Sequence, residues 1–145
     1  MREEESTFTI DENGDKFWRN KKGKLHRIDG PAIEFEDGDK FWYKNGKRHR
    51  IDGPANEYAN GNKAWYQMGE RHRIDGPAIE LTNGTKYWYQ NGVLHRIDGP
   101  AIKYNNGDKS WFYNNVKFPT KEAFFDSLTD EEKKIALFSE DFLNA

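Results

Sequence analysis

The stretch that decides the fold is AIEFEDGDKFWYKNGKRHRIDGP, residues 32–54. It holds two dipeptides that reverse a chain, Asp37-Gly38 and Asn45-Gly46. Both suit two-residue type I′ turns, in which the two central residues take positive φ. Between them lies DKFWYK; before and after lie AIEFE and KRHRI. The stretch therefore reads as three short strands in an up-down meander. Asp52-Gly53-Pro54 closes it: the proline removes a ladder donor, and the glycine before it permits an unusual backbone.

Two-residue loops at both turns put Ile33 opposite Trp42 and Trp42 opposite His49, with Ile51 on the same face. The other face carries Glu34, Phe41 and Arg50, with Tyr43 beside them. The first face is the expected core. A longer loop would shift this register, and a one-residue shift exchanges the faces.

Working outward, the stretch recurs. His26, His49, His72 and His95 are the only histidines, each opens the string HRIDGPA, and each lies 23 residues from the next. Trp42, Trp65, Trp88 and Trp111 keep the same period, as do Gly38, Gly61, Gly84 and Gly107. Trp18 and Gly14 precede their partners by 24, the extra residue falling in RNKKG. Five copies result, with irregular first and last ones, because an end copy has a face without a neighbour. The fold class is mainly β: an elongated antiparallel meander of five repeats with a C-terminal helical cap. The expected organisation is an acidic N-terminal tail over residues 1–7, the repeat array over 8–118, and the cap over 119–145.

That cap is FPTKEAFFDSLTDEEKKIALFSEDFLNA, which lacks a strand period. Thr120 suits the N-cap of a short helix carrying Phe124, Phe125 and Leu128. Thr129 with Glu132 forms a capping-box signature for a second, with Ile135, Leu137 and Phe138 following. The segment reads either as a lid over the last repeat or as a partner-docking segment.

Composition bounds the function. The chain has 145 residues, enough for one domain with a modest core. A third of it is charged, which alone suggests disorder, yet the net charge is −2 and 15% is aromatic. Disordered chains are poor in aromatics, so a folded, aromatic-rich core is expected. There is no cysteine, which excludes disulfides and thiolate zinc sites and suits a reducing, cytoplasmic setting. MREEESTFT is acidic and polar, unlike a signal peptide, and no apolar run approaches the roughly 18 residues of a membrane span. Residues 121–145 hold three lysines against seven acids, leaving the repeats only mildly basic, too little to argue for nucleic acid.

Histidine, arginine and aspartate repeated four times invite a catalytic or metal reading. In the last copy, however, the position seven after Trp111 is Phe118. A position that accepts phenylalanine behaves as a packing position, where an imidazole stacks on Trp and donates to a nearby Asp or carbonyl. Histidines three strands apart would be about 14 Å from each other, too far for one ion. Arg50 and Asp52 read as an ion pair rather than an acid–base pair, and four equal copies oppose one asymmetric pocket. No enzyme, cofactor or metal is expected. Lys16, Lys40, Lys63, Lys86 and Lys109 each lie two before a Trp, a ladder that could track phosphates, but Glu34, Glu57 and Glu80 cancel most of it.

The pattern GxKxWYxNGxxHRIDGPAIE over residues 8–118 resembles a divergent MORN-type hairpin repeat, as in bacterial and viral repeat and antitoxin-like proteins. The resemblance implies an antiparallel repeat sheet that scaffolds, binds protein or contacts lipid, and it implies no catalytic residues. The charged HRID segment departs from it. The reading is a non-enzymatic protein-binding module: an inhibitor, immunity protein or phage-type host-takeover factor, in the host cytoplasm if viral. Its expected contact row is Tyr43, Arg50, Tyr66, Arg73, Tyr89 and Arg96, since Tyr and Arg anchor interfaces. A homo-oligomer is compatible with it. The alternative is a glycan- or lipid-surface-binding repeat using aromatic rows.

Overall fold

A computed structural model describes residues 5–145, so Met1–Glu4 of the acidic tail lie outside the described residues. The chain is mainly β, antiparallel hairpins followed by a short helical segment. It divides into two units, Met1–Arg71 and His72–Ala145.

In the first unit six strands pair in the order Thr7–Ile10, Lys16–Arg19, Ile33–Glu34, Lys40–Phe41, Asn56–Glu57 and Lys63–Ala64, every pair antiparallel. Two rows of side chains run across them. One reads Phe17, Ile33, Phe41, Asn56, Ala64; the other reads Lys16, Glu34, Lys40, Glu57, Lys63, alternating in charge. Opposite charges directly across a ladder are favourable pairs, and here the glutamates do balance the lysines. Phe17, Phe35, Phe41 and Tyr58 meet edge to face at 6.4, 5.5 and 5.4 Å.

The two turns of a copy differ. Asn45 (φ 48°) and Gly46 (φ 82°) form the expected two-residue loop, pairing Tyr43 with Arg48. The Asp37-Gly38 turn is longer. The Phe35 N–H donates to the Asp39 carbonyl and the Gly38 N–H to the Phe35 carbonyl, with Gly38 at φ 101°. This is a three-residue loop, a type I turn followed by a left-handed glycine bulge. The extra residue moves the register by one: Ile33 faces Phe41, not Trp42.

The expected core face is therefore corrected. Ile51 is 84% exposed, while the alanine of each HRIDGPA string, Ala32, Ala55, Ala78 and Ala101, is fully buried. Nor is the third strand part of one meander. The chain leaves the main ladder at Trp42, and Tyr43–Lys44 pairs only with Lys47–Arg48 in a side hairpin. Tyr66–Gln67 with Glu70–Arg71 repeats this.

In the second unit Ile79–Glu80, Lys86–Tyr87, Ile102–Lys103, Lys109–Tyr113 and Val116–Phe118 pair in sequence, with Tyr89–Gln90 and Val93–Leu94 as its side hairpin. Three helices follow: α1 (Lys121–Ser127), α2 (Asp130–Leu137) and α3 (Glu140–Leu143). Thr120 and Thr129 cap the first two, accepting from the N–H groups of Ala123 and Glu132. The Glu132 carboxylate accepts from the Tyr113 hydroxyl at 3.1 Å. Ser139 caps α3, which sequence reading did not separate from α2. Trp111, Phe124, Leu128, Ala136 and Phe142 form one buried cluster, with Ile97 and Phe118 packed against it. The tail is thus a lid on the last strands of its own unit.

Candidate functional site

The site is built from the HRIDGPA string. Asp52-Gly53-Pro54 turns the chain so that the Arg50 guanidinium folds back, its Cζ 3.9 Å from the centroid of Trp42. Arg27 stacks on Trp18 at 3.9 Å and Arg96 on Trp88 at 4.0 Å. The face assignment made from sequence is again reversed, because Arg50 lies on the indole rather than opposite it. Arg50 Nε donates to Asp52 at 2.9 Å, and Nη1 donates to the Pro54 carbonyl at 3.1 Å and to Glu57 at 2.8 Å. Arg73 repeats these bonds with Asp75, Pro77 and Glu80. The Arg50 pair holds the Asp52 carboxyl below its ordinary value, by hydrogen bond first and charge second. Gly53 is needed for room rather than for an unusual φ: a Cβ there would lie 3.0 Å from Arg50 Cζ.

The histidines latch one copy to the next. The Nδ1 atoms of His26, His49, His72 and His95 accept from the backbone N–H groups of Asn45, Met68, Asn91 and Asn114, at 3.0, 3.1, 3.0 and 3.0 Å. The imidazole was expected to donate; it accepts, so the proton sits on Nε2. Each acceptor meets the turn of the following copy. The fifth copy has no following turn, which explains phenylalanine at 118. At the opposite end of the copies Asp15, Asp39 and Thr85 play the same part, accepting from the N–H groups of Glu36, Ala59 and Asn105.

Two expected outcomes follow from this bond. His49→Phe leaves the Met68 N–H without its acceptor and should cost about 1 kcal/mol, a typical net hydrogen bond, in urea unfolding. The second is pH dependence. Burial, then the Lys44 charge, lowers the pKa of His49; burial lowers that of His95 against an opposing pull from Glu132. The unfolded chain therefore takes up a proton more readily, at about pH 6.5. The stabilisation is complete above that pH and is lost as pH falls through it toward the lower folded value. The melting temperature should drop between pH 7.5 and 5, and less so in His49→Phe/His95→Phe.

The expected contact row is only partly on the surface. Tyr66 is 8% exposed, its hydroxyl accepting from Arg71 Nε at 3.3 Å, with the Arg48 guanidinium 5.4 Å from its ring. Tyr43 and Tyr89 are half-buried, as are Arg50 and Arg73, and Arg96 is buried. What sequence reading missed is the isoleucine of HRID. Ile28, Ile51 and Ile74 are 54, 84 and 81% exposed, whereas Ile97 packs under the helical lid. The repeat itself carried this signal, since a position that is isoleucine in all four HRID strings needs a reason if it is not core.

A scan of protein-family models finds no match to the chain, and a search of curated proteins finds no similar one. Among the described residues no helix is long and apolar enough to cross a membrane.

Proposed function

We propose that the chain is a non-enzymatic protein-binding repeat module that acts by occupying a partner, as an inhibitor, immunity protein or host-takeover factor does. The observation that carries this reading is the exposed isoleucine of HRID. The same residue is isoleucine in all four HRID strings, solvent-facing at Ile28, Ile51 and Ile74, and covered at Ile97 by protein. Exposed apolar residues ringed by polar ones mark interaction surfaces. Arg27 and Arg50, held flat on tryptophans, and the half-buried Tyr43 border Ile28 and Ile51. The likeness to MORN-type repeats agrees with a scaffold or binding role. The aromatic residues are largely spent on each other and on the arginines, which favours a protein over a glycan.

The test is affinity capture from lysate of the source cells, with wild type beside Ile28→Asp/Ile51→Asp. A protein retained by the wild type and lost from the variant, with unchanged melting temperature, supports the reading. Binding to a glycan array or to acidic liposomes, with no such protein, supports the glycan- or lipid-binding alternative instead.

A further inference from the structure

The second unit contains a worked example of what this surface accepts. A groove of about 470 Å³ runs between its HRID segments, lined by Arg73, Ile74, Arg96 and Ile97, and the tail enters it through Ile135 and Asp141. The Asp141 carboxylate takes 2.7 Å hydrogen bonds from Arg96 Nη2 and from Lys103. Ser139 Oγ donates to the Asp98 carbonyl at 2.7 Å. Burial would raise the Asp141 pKa, but the bonds from Lys103 and Arg96 outweigh it and hold the carboxyl below its ordinary value. The sequence explains why the lid sits here. Seven residues after Arg27, Arg50 and Arg73 stands a glutamate, which takes Nη1 of its arginine; seven after Arg96 stands Lys103, and Asp141 meets Arg96 through Nη2, on the side the glutamates leave open.

The first unit repeats this groove 46 residues earlier, and among the described residues no helix enters it. Arg27, Ile28, Arg50 and Ile51 line about 840 Å³. Arg50 is 21% exposed where Arg96 is 8%, and Asp52 is 85% exposed where Asp98 is 46%. Among the described residues the Nη2 atoms of Arg27 and Arg50, the atom that Arg96 offers to Asp141, make no hydrogen bond. Lys44 stands where the second unit has Gln90, so this groove is the more basic of the two. A helical segment that carries an acidic and an aliphatic residue, as the tail does with Asp141 of α3 and Ile135 of α2, is complementary in charge and in shape.

We infer that the groove between the first two HRID segments binds an acidic amphipathic helix of the partner protein, seating a carboxylate on Arg50 and an aliphatic side chain between Ile28 and Ile51. This rests on the protein-binding reading and names the class of partner. The probe is a peptide of residues 129–145, TDEEKKIALFSEDFLNA, with a lactam joining Asp130 to Lys134 to hold the helix. It is titrated into the full chain while the isoleucine methyl resonances are followed. The expected result is saturable shifts at Ile28 and Ile51. Affinity should fall at least tenfold in the Ile51→Asp chain, and likewise when the peptide carries Asp141→Lys. Shifts that do not saturate, or that are equal in the Ile51→Asp chain, overturn the inference. So does a dimer of the full chain in sedimentation that Ile51→Asp dissociates, which would make a second copy the occupant. If the peptide fails while lysate capture still depends on Ile28 and Ile51, the binding-module reading stands and the acidic helix falls.

Discussion

Trp111→Ala should destabilise the second unit by about 3–5 kcal/mol, the range for large aromatic truncations in a core. Trp111 is buried, with its ring 5.1 Å from Phe124 and 5.8 Å from Phe142. Those two rings belong to different helices, so one truncation undercuts both α1 and α3. The cluster has no other tryptophan to close the gap. Urea unfolding followed by helical circular dichroism gives the free energy. The same variant has a second readout: as the lid loosens, Asp141 should release Arg96 and Ile97 should become solvent-exposed. An unfolding midpoint within error of wild type would mean that the lid is held by its ion pairs and not by this cluster.

Ala55→Leu should cost about 3 kcal/mol, the upper end for overpacking a filled core. Ala55 is fully buried and its carbonyl accepts from the Trp42 N–H at 2.7 Å. A longer side chain must push that strand connection apart at the point where the chain leaves the main ladder. The neighbouring Asn56 is also buried, its amide donating to the Tyr58 hydroxyl at 3.1 Å, so relaxation in that direction breaks another bond. Thermal unfolding of the variant beside Ile51→Asp is the measurement. The exposed isoleucine should tolerate even a charge, while the buried alanine should not tolerate a larger apolar group.

This contrast shows which parts of the fold the sequence carries openly. The period of 23, the Asn45-Gly46 turn and the caps at Thr120 and Thr129 are local signals, and local chemistry decides them. Asp37-Gly38 is different. The dipeptide serves a two-residue turn and a three-residue turn with a glycine bulge equally well. A single residue of loop length moved Ile33 from Trp42 to Phe41 and, with it, the expected faces. The stacking of Arg50 on Trp42 was hidden for another reason. It depends on Gly53 leaving room for a guanidinium that returns across eight residues of chain, which no periodicity records. Phe118 at the equivalent position pointed to packing, and each histidine does carry a hydrogen bond that joins two copies. Its acceptor role needed the turn of the next copy, 19 residues on, to be placed beside Nδ1. The exposed isoleucines have another cause: sequence reading extends the third strand through Ile51 on the face of Trp42 and His49, whereas that strand ends at Arg48 and the chain turns away before Asp52-Gly53-Pro54.

The claim that HRIDGPA is a structural latch is tested most directly at the four imidazoles. Long-range proton–nitrogen correlation of the intact protein at neutral pH reports the tautomer of each ring. The account predicts four rings protonated at Nε2, with Nδ1 carrying the signature of a hydrogen-bond acceptor. Rings protonated at Nδ1 would contradict it.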